Sequence, residues 1–333
     1  MKKIILIVTA LIIIAAILLA IPILKDVNGS SSGEDVTITI ESGATLSEIA
    51  DTLKENGVIR YPAFFKMFSK SRYEDYKFGE YIINTGASYE QIAEKISSTK
   101  NDATKITIPE GTEIYKIEGI LSQKGIESDF LNTANDIYQT EKDKYDFLKN
   151  LPERDNPLEG YLFPDTYNLS KENTAENLIH SMLNEFENKW KDEYDKQAKK
   201  LNMTQDEIII LASVIEREAA SAEEMPKVSS VFHNRLSSKD YPYLQSCATV
   251  QYILKERKAV LSEADTKIKS PYNTYINKGL PVGPICSPGE EAIRAALYPD
   301  DTDYYFFVLG KDGKTIFSKT YQEHQQAMRE NGL

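Results

Sequence analysis

From Ile4 to Leu24 the chain reads IILIVTALIIIAAILLAIPIL, 21 consecutive residues without a charge. As a helix rising 1.5 Å per residue, such a run is about 31 Å long and matches a hydrocarbon core of roughly 30 Å. A cleaved signal peptide has an apolar core of only about 7 to 15 residues and a small-x-small cleavage site, and neither precedes Lys25. Lys2 and Lys3 lie on the short N-terminal side, whereas Lys25 and Asp26 nearly cancel on the other. Because Lys and Arg beside a span stay cytoplasmic, the expected arrangement is a single-pass cell-membrane protein with residues 25–333 extracytoplasmic.

The 309 residues beyond the run can bury a substantial core and are expected to form two domains. A net charge of −12 argues against nucleic acid and anionic lipid as partners. Two cysteines, Cys247 and Cys286, are too few for a disulfide framework. Twenty Tyr against one Trp supplies phenol rings, apolar on the face and polar at the tip, which suit a wet groove for polar rings or an ordinary surface.

Asn28 to Gly33, NGSSSG, reads as a flexible tether, with a compact body from Asp35. One pattern then recurs: ITIESGATLSEIADTL (38–53), YIINTGASYEQIAEKI (81–96) and ITIPEGTEIYKIEGIL (106–121). Aligned on Gly43, Gly86 and Gly111, each is a short alternating strand, a glycine turn and a helix with matched apolar positions. Thr45-x-x-Glu48 and Ser88-x-x-Gln91 are capping boxes, and the third copy has none. Steps of 43 and 25 residues between the glycines exclude a regular solenoid. These units resemble LysM-like modules, which bind N-acetylated glycans, although plain β-α packing units fit equally well.

The second half is richer in helix. Thr204-x-x-Glu207 opens the apolar stretch IIILASVIEREAA, and Glu223-Glu224-Met-Pro opens a helix with Val228, Phe232 and Leu236 on one stripe. Ser287-Pro288-Gly289-Glu290 predicts a helix with an N-cap Ser and Pro at its first position. YYFFVLG and TIFS around Asp312-Gly313 predict a hairpin. The class is therefore α+β. The expected order is a cytoplasmic stub and transmembrane helix (1–25), a tether (26–34), a LysM-like region (35–104) and a catalytic domain (105–333) with the third β-α unit at 105–128.

Chemistry is narrowed first by what is missing. Only His180, His233 and His324 are available, without His-Glu-x-x-His spacing or a zinc-finger Cys pair, so no metal is expected. No Gly-x-Ser-x-Gly elbow and no phosphate-cradling glycine loop occur, so no cofactor is expected either. What remains is the helix 208–220, apolar all round for two turns, which ends in Glu216-Arg217-Glu218. A carboxylate at the end of a buried helix is costly unless paired or used. The small residues Ala212, Ser213 and Ala220 share the Glu216 stripe and would leave room for a ligand, which modestly favours Glu216 over Glu218. Both could equally be solvated helix-end charges balanced by Arg217.

LASVIEREA (211–219), Glu224 with KVSSVFHNRL (227–236), LQSCATVQY (244–252), SPYNTY (270–275), GLPVGPICSPG (279–289) and EGYLFPDTY (159–167) together resemble the ordered motifs of the YceG-like family of endolytic murein transglycosylases. The resemblance implies a lyase that cuts the MurNAc-GlcNAc bond within nascent peptidoglycan strands and leaves 1,6-anhydro-MurNAc ends, acting as a terminator of glycan elongation. It implies Glu216 as the catalytic residue. Gln245, Ser246, Tyr272, Asn273 and Glu159 are expected to bind substrate, and Glu218, Glu224, Asn234 and Arg235 to support the site. Where the family usually has Asp, this chain has Cys247, which puts that position's role in doubt. Peptidoglycan strands, the membrane and cell-wall synthesis proteins are the expected partners. The rivals are a hydrolase using Glu218 or Glu224 as a second carboxylate, with reducing-end products, and a non-enzymatic wall-binding scaffold. A tether as short as 25–33 would confine Glu216 near the membrane, spanning only about 15 to 18 Å as a coil.

Overall fold

The computed structural model describes residues 21–30, 33–41, 44–70, 76–77, 79–97, 104–169, 175–258 and 260–332. Most of the apolar run, 4–20, and the first aligning glycine, Gly43, lie outside the described residues. Among the described residues no helix is long and apolar enough to cross a membrane. The chain divides into two units, Met1–Thr104 and Lys105–Leu333, each with its own hydrophobic core.

In the first unit, β1 (Asp35–Ile40) pairs antiparallel with β2 (Gly79–Asn84), in register from Asp35 opposite Asn84 to Ile40 opposite Gly79. Between them run α1 (Leu46–Glu55) and α2 (Pro62–Lys70), and α3 (Tyr89–Ser97) follows β2. Alternation along the strands turns Ile38, Ile40, Tyr81 and Ile83 onto the buried face, where they meet Ile49, Leu53, Phe65, Ile92 and Ile96. Both predicted capping boxes form: Thr45 with Glu48, and Ser88 with Gln91 through reciprocal bonds of 2.9 and 3.2 Å.

The tether reading is corrected at both described ends of the segment. Residues 21–28 are helical. Asp26 accepts hydrogen bonds from the backbone N–H of Arg60 (3.0 Å) and Tyr61 (3.1 Å) and from the Tyr89 hydroxyl (2.5 Å), while Val27 packs on the core. Ser30 N–H bonds Gly86 O at 2.7 Å. A Cβ on Gly29, whose φ is +75°, would lie 2.5 Å from Gly86 O, and one on Gly33 would lie 2.2 Å from Asn84 Oδ1. These glycines serve close backbone approach rather than looseness.

The second unit contains the third strand-turn-helix copy. Its strand β3 (Thr104–Thr107) pairs with β4 (Thr166–Leu169), and its helix is α4 (Ile114–Gln123). Around it lie α5 (Phe130–Glu141), α6 (Ala175–Lys189), α7 (Asp192–Lys200), α8 (Gln205–Glu218), α9 (Met225–Ser237), α10 (Cys247–Leu254), α11 (Glu263–Thr266) and α12 (Glu290–Leu297). The predicted hairpin forms as β5 (Phe306–Leu309) and β6 (Thr315–Ser318), with Gly313 at φ +78° in the turn, and α13 (Tyr321–Asn331) closes the chain. Paired antiparallel strands with many helices make the chain α+β. The helix expected from Ser287 instead starts at Glu290 with Gly289 as N-cap, because Ser287 is held in a backbone bridge to Thr112.

Candidate active site

Helix α8 is the axis of the site. Thr204 and Glu207 cap its start reciprocally, and every residue from Ile208 to Ile215 is buried, as its all-round apolar sequence predicts. At its C-terminal end three charged side chains diverge. Glu216 Oε2 accepts the Gly289 N–H at 3.1 Å. Arg217 donates to Gly111 O at 3.3 Å and pairs with buried Glu113, which Lys116 also meets at 2.6 Å. Glu218 Oε1 accepts the Ser246 hydroxyl at 2.5 Å and the Ala248 N–H at 3.2 Å.

Gly289 reaches Glu216 because the segment before it lies along α8. Ile285 N–H bonds the Ser213 hydroxyl at 3.0 Å, the Cys286 thiol faces Ser213 O at 3.3 Å, and Ser287 bridges to Thr112. The room beside Ser213 is therefore filled by the chain itself rather than left for a ligand. Gly160 permits this packing: at φ +86°, a Cβ there would lie 2.5 Å from Pro284 and 2.9 Å from Ile209. Tyr161 and Arg154 fix the other end of α8 through Asp206, at 2.7 and 2.9 Å.

Burial raises the Glu216 pKa above the ordinary carboxyl range, and Glu110 adds to the rise, against the opposing Gly289 N–H and Arg217. Glu110 is the neighbour that sequence reasoning missed. It is exposed, and a Cβ on Gly289 would lie 2.0 Å from its Oε1. With standard bond lengths the shared contacts through Gly289 keep the two carboxylates within about 8 Å. Glu218 is also pushed up by burial, opposed by Ser246 and Ala248. In Glu113, Lys116 and Arg217 outweigh burial and hold the carboxyl low.

The other residues singled out fall into two groups. Glu159, 1% exposed, accepts the Ile114 N–H (3.1 Å) and the Tyr252 hydroxyl (3.1 Å), so it caps α4 in place of the missing capping box. Burial lifts its pKa to about 8. Asn273, 0% exposed, is consumed by Thr266 O, Ile268 O and Tyr275 N–H. The expectation for both is substrate binding; in the structure both are buried and hold loops together. Ser246 is likewise buried and turned to Glu218, and the Tyr272 ring packs on Tyr252 with centroids 5.0 Å apart. Gln245, exposed at φ +51°, is set in place by Arg235, which also bonds the Tyr243, Leu244 and Tyr305 carbonyls.

Asn234 donates to Thr302 O and Tyr304 O, and Glu224 accepts from the Thr315 N–H and hydroxyl, so both brace the segment that carries the hairpin. Glu218 and Glu224, the expected candidates for a second acid, are thus engaged by Ser246 and Ala248 and by Thr315. Cys247 is exposed with its sulfur 3.1 Å from the Tyr275 hydroxyl, Cys286 is buried, and both are free thiols. Among the described residues Glu141, Glu176 and His180 approach closely enough to hold a metal, but Lys144 already pairs with Glu141 at 2.8 Å. An open depression of about 400 Å³, lined by Lys191, Tyr194, Glu290, Arg294 and Tyr298 among others, begins one residue beyond Gly289.

The sequence model of the YceG-like family matches residues 38–330. An endolytic murein transglycosylase of Bacillus subtilis is 34% identical over 92% of this chain and 86% of its own length. One of Streptococcus pneumoniae serotype 2 is 31% identical over 91% of this chain and 59% of its own length. In structure, a YceG-like protein of Listeria monocytogenes superposes with a TM-score of 0.60 at 33% identity, covering 89% of this chain and 99% of that one.

Proposed function

The chain belongs to the YceG-like family, and from that premise we propose that it is an endolytic murein transglycosylase, a lyase that cleaves the glycan strands of peptidoglycan with Glu216 as its acid and base. The observation that carries the reading is the half-buried Glu216 carboxyl at the end of a buried helix, its proton held above the ordinary range, whereas Glu218 at the same helix end is engaged by Ser246 and Ala248. Protonated Glu216 donates to the leaving glycosidic oxygen of the MurNAc-GlcNAc bond as positive charge develops on the sugar. The resulting carboxylate then takes the proton of the MurNAc 6-hydroxyl, whose oxygen closes on C1 to give the 1,6-anhydro end. The attacking group is already part of the substrate, so no activated water is required.

Two neighbours support that cycle. The Gly289 N–H fixes one carboxylate oxygen after the proton has left, and Glu110 helps to keep the proton on Glu216 before it is donated. Exposed Gln245 is the remaining polar contact for acetamide or hydroxyl groups. The repeated strand-turn-helix pattern of the first unit favours a LysM-like glycan grip, and the uncharged run behind Lys2 and Lys3 favours a single membrane anchor with the bulk outside. Cleavage close to the membrane would act on nascent strands and terminate their elongation.

Glu110 also gives the hydrolase reading a second carboxylate, since it lies on the other side of Gly289 from Glu216. Digestion of purified sacculi followed by mass spectrometry separates the two. Anhydro-muropeptides are expected, and products heavier by one water at the cut end would establish hydrolysis. Glu216→Gln is expected to lower the rate by about 10² to 10⁴ with unchanged circular dichroism. An undiminished rate would remove Glu216 from the mechanism.

A further inference from the structure

Helix α2 presents to solvent a stripe that the core of the first unit does not use. Phe65 and Ser69 are buried and Phe68 packs against the core, but Phe64 is 36% and Met67 68% exposed, with Ala63 and Lys70 on the same side. From Arg60 to Lys70 the segment RYPAFFKMFSK carries three cations and no carboxylate, within a chain of net charge −12. An exposed apolar stripe flanked by Lys and Arg is the composition of a helix that lies in a membrane interface.

Its position supplies the second observation. The Asp26 carboxylate binds the N–H groups of Arg60 and Tyr61, the two residues that lead into α2. The Tyr61 ring meets Phe64 edge-on, with centroids 6.2 Å apart. Residues 21–28 are helical and belong at their start to the apolar run, with Ile21 45% and Leu24 55% exposed. The end of that run is thus fastened directly to the entry of α2, without an intervening coil.

We propose that the outer face of α2 rests on the membrane that the N-terminal run crosses, with Phe64 and Met67 in the interface and Arg60 and Lys70 against anionic lipid phosphates. The proposal rests on the reading of residues 4–24 as a span, and it is independent of the chemistry at Glu216. The overall acidity that argues against anionic lipid is locally reversed here.

The test uses the full chain reconstituted in phosphatidylglycerol-containing vesicles, with Trp190, the single Trp of the sequence, replaced by Phe. Met67→Trp, with Phe64→Trp as a second probe, is compared with Glu94→Trp on the exposed side of α3. In brominated lipid the α2 probes are expected to lose about half or more of their emission while the α3 probe changes little, as befits a helix seated about 5 to 10 Å into the headgroup boundary. Equal quenching at all three positions, with the protein floating with the vesicles, overturns the proposal and leaves the anchor intact. Failure to float overturns both.

Discussion

Glu216 would ionise readily in water, and what keeps its proton is burial at the end of α8 together with a second carboxylate that faces it across Gly289. The two effects can be separated, because burial survives when the Glu110 charge is removed. As general acid, Glu216 works protonated, so the alkaline limb of kcat/KM follows its pKa in the free enzyme. Glu110 raises that pKa, so Glu110→Gln is expected to move the limb to lower pH, with the fold unchanged. Carboxyl NMR of Glu216 in the two proteins should show the same displacement without relying on turnover. An unmoved limb and an unmoved resonance would make Glu110 a bystander. No sequence pattern marks Glu110 as a partner of Glu216: the two are 106 residues apart, and backbone bonds from Gly111 and Thr112 to Ser287 bring the turn that carries Glu110 to Gly289.

Elements were legible where their instructions are local. Thr45, Ser88 and Thr204 sit in reciprocal caps, the apolar circuit of α8 is buried, and Asp312-Gly313 turns a hairpin. They were illegible where one element completes another. Helix α4 has no cap of its own, and its Ile114 N–H is satisfied by Glu159, 45 residues away, so a motif glutamate that reads as a ligand for sugar is a helix cap. The Ser287-Pro288 start failed for a related reason, since a tertiary bridge occupies Ser287. The α4 cap has a signature in pH. Glu159 has a folded pKa of about 8 against an ordinary 4.5, so the folded state holds this proton more tightly than the unfolded chain does. Stability from this group is complete below about 4.5 and is lost as pH rises toward 8, by up to about 1.4 kcal/mol per unit. Glu159→Gln keeps an acceptor for Ile114 and Tyr252 and cannot ionise. Denaturant unfolding between pH 5 and 8 is expected to show a declining free energy in the parent and a flatter one in the variant. Parallel slopes would mean that Glu159 is not the group that titrates.

For the whole molecule, the decisive difference between sequence and structure lies in six residues. NGSSSG has the composition of a linker, and nothing local distinguishes a glycine that frees the chain from one that lets two backbones touch. Here Gly29 and Gly33 lie against Gly86 and Asn84, and Asp26 joins the helical stretch to the body through three donors. The first unit is therefore held at the end of the apolar run by structure rather than by a coil. Tyr89 records the same clamp: burial raises its pKa, and its hydrogen bond to Asp26 raises it further. Removing the carboxylate leaves the backbone amides of Arg60 and Tyr61 without their acceptor and the Tyr89 hydroxyl with only Tyr61 O at 3.2 Å, at a cost of about 1 to 3 kcal/mol. Asp26→Ala should lower the denaturant midpoint of the first unit and speed hydrogen exchange across 21–28, while purified glycan is cut at the parental rate. If exchange across 21–28 is unchanged, glycine packing alone holds the segment. If it becomes fast and cleavage of nascent strands in cells falls while cleavage of purified glycan does not, then a fixed seat at the membrane contributes to function beyond simple attachment.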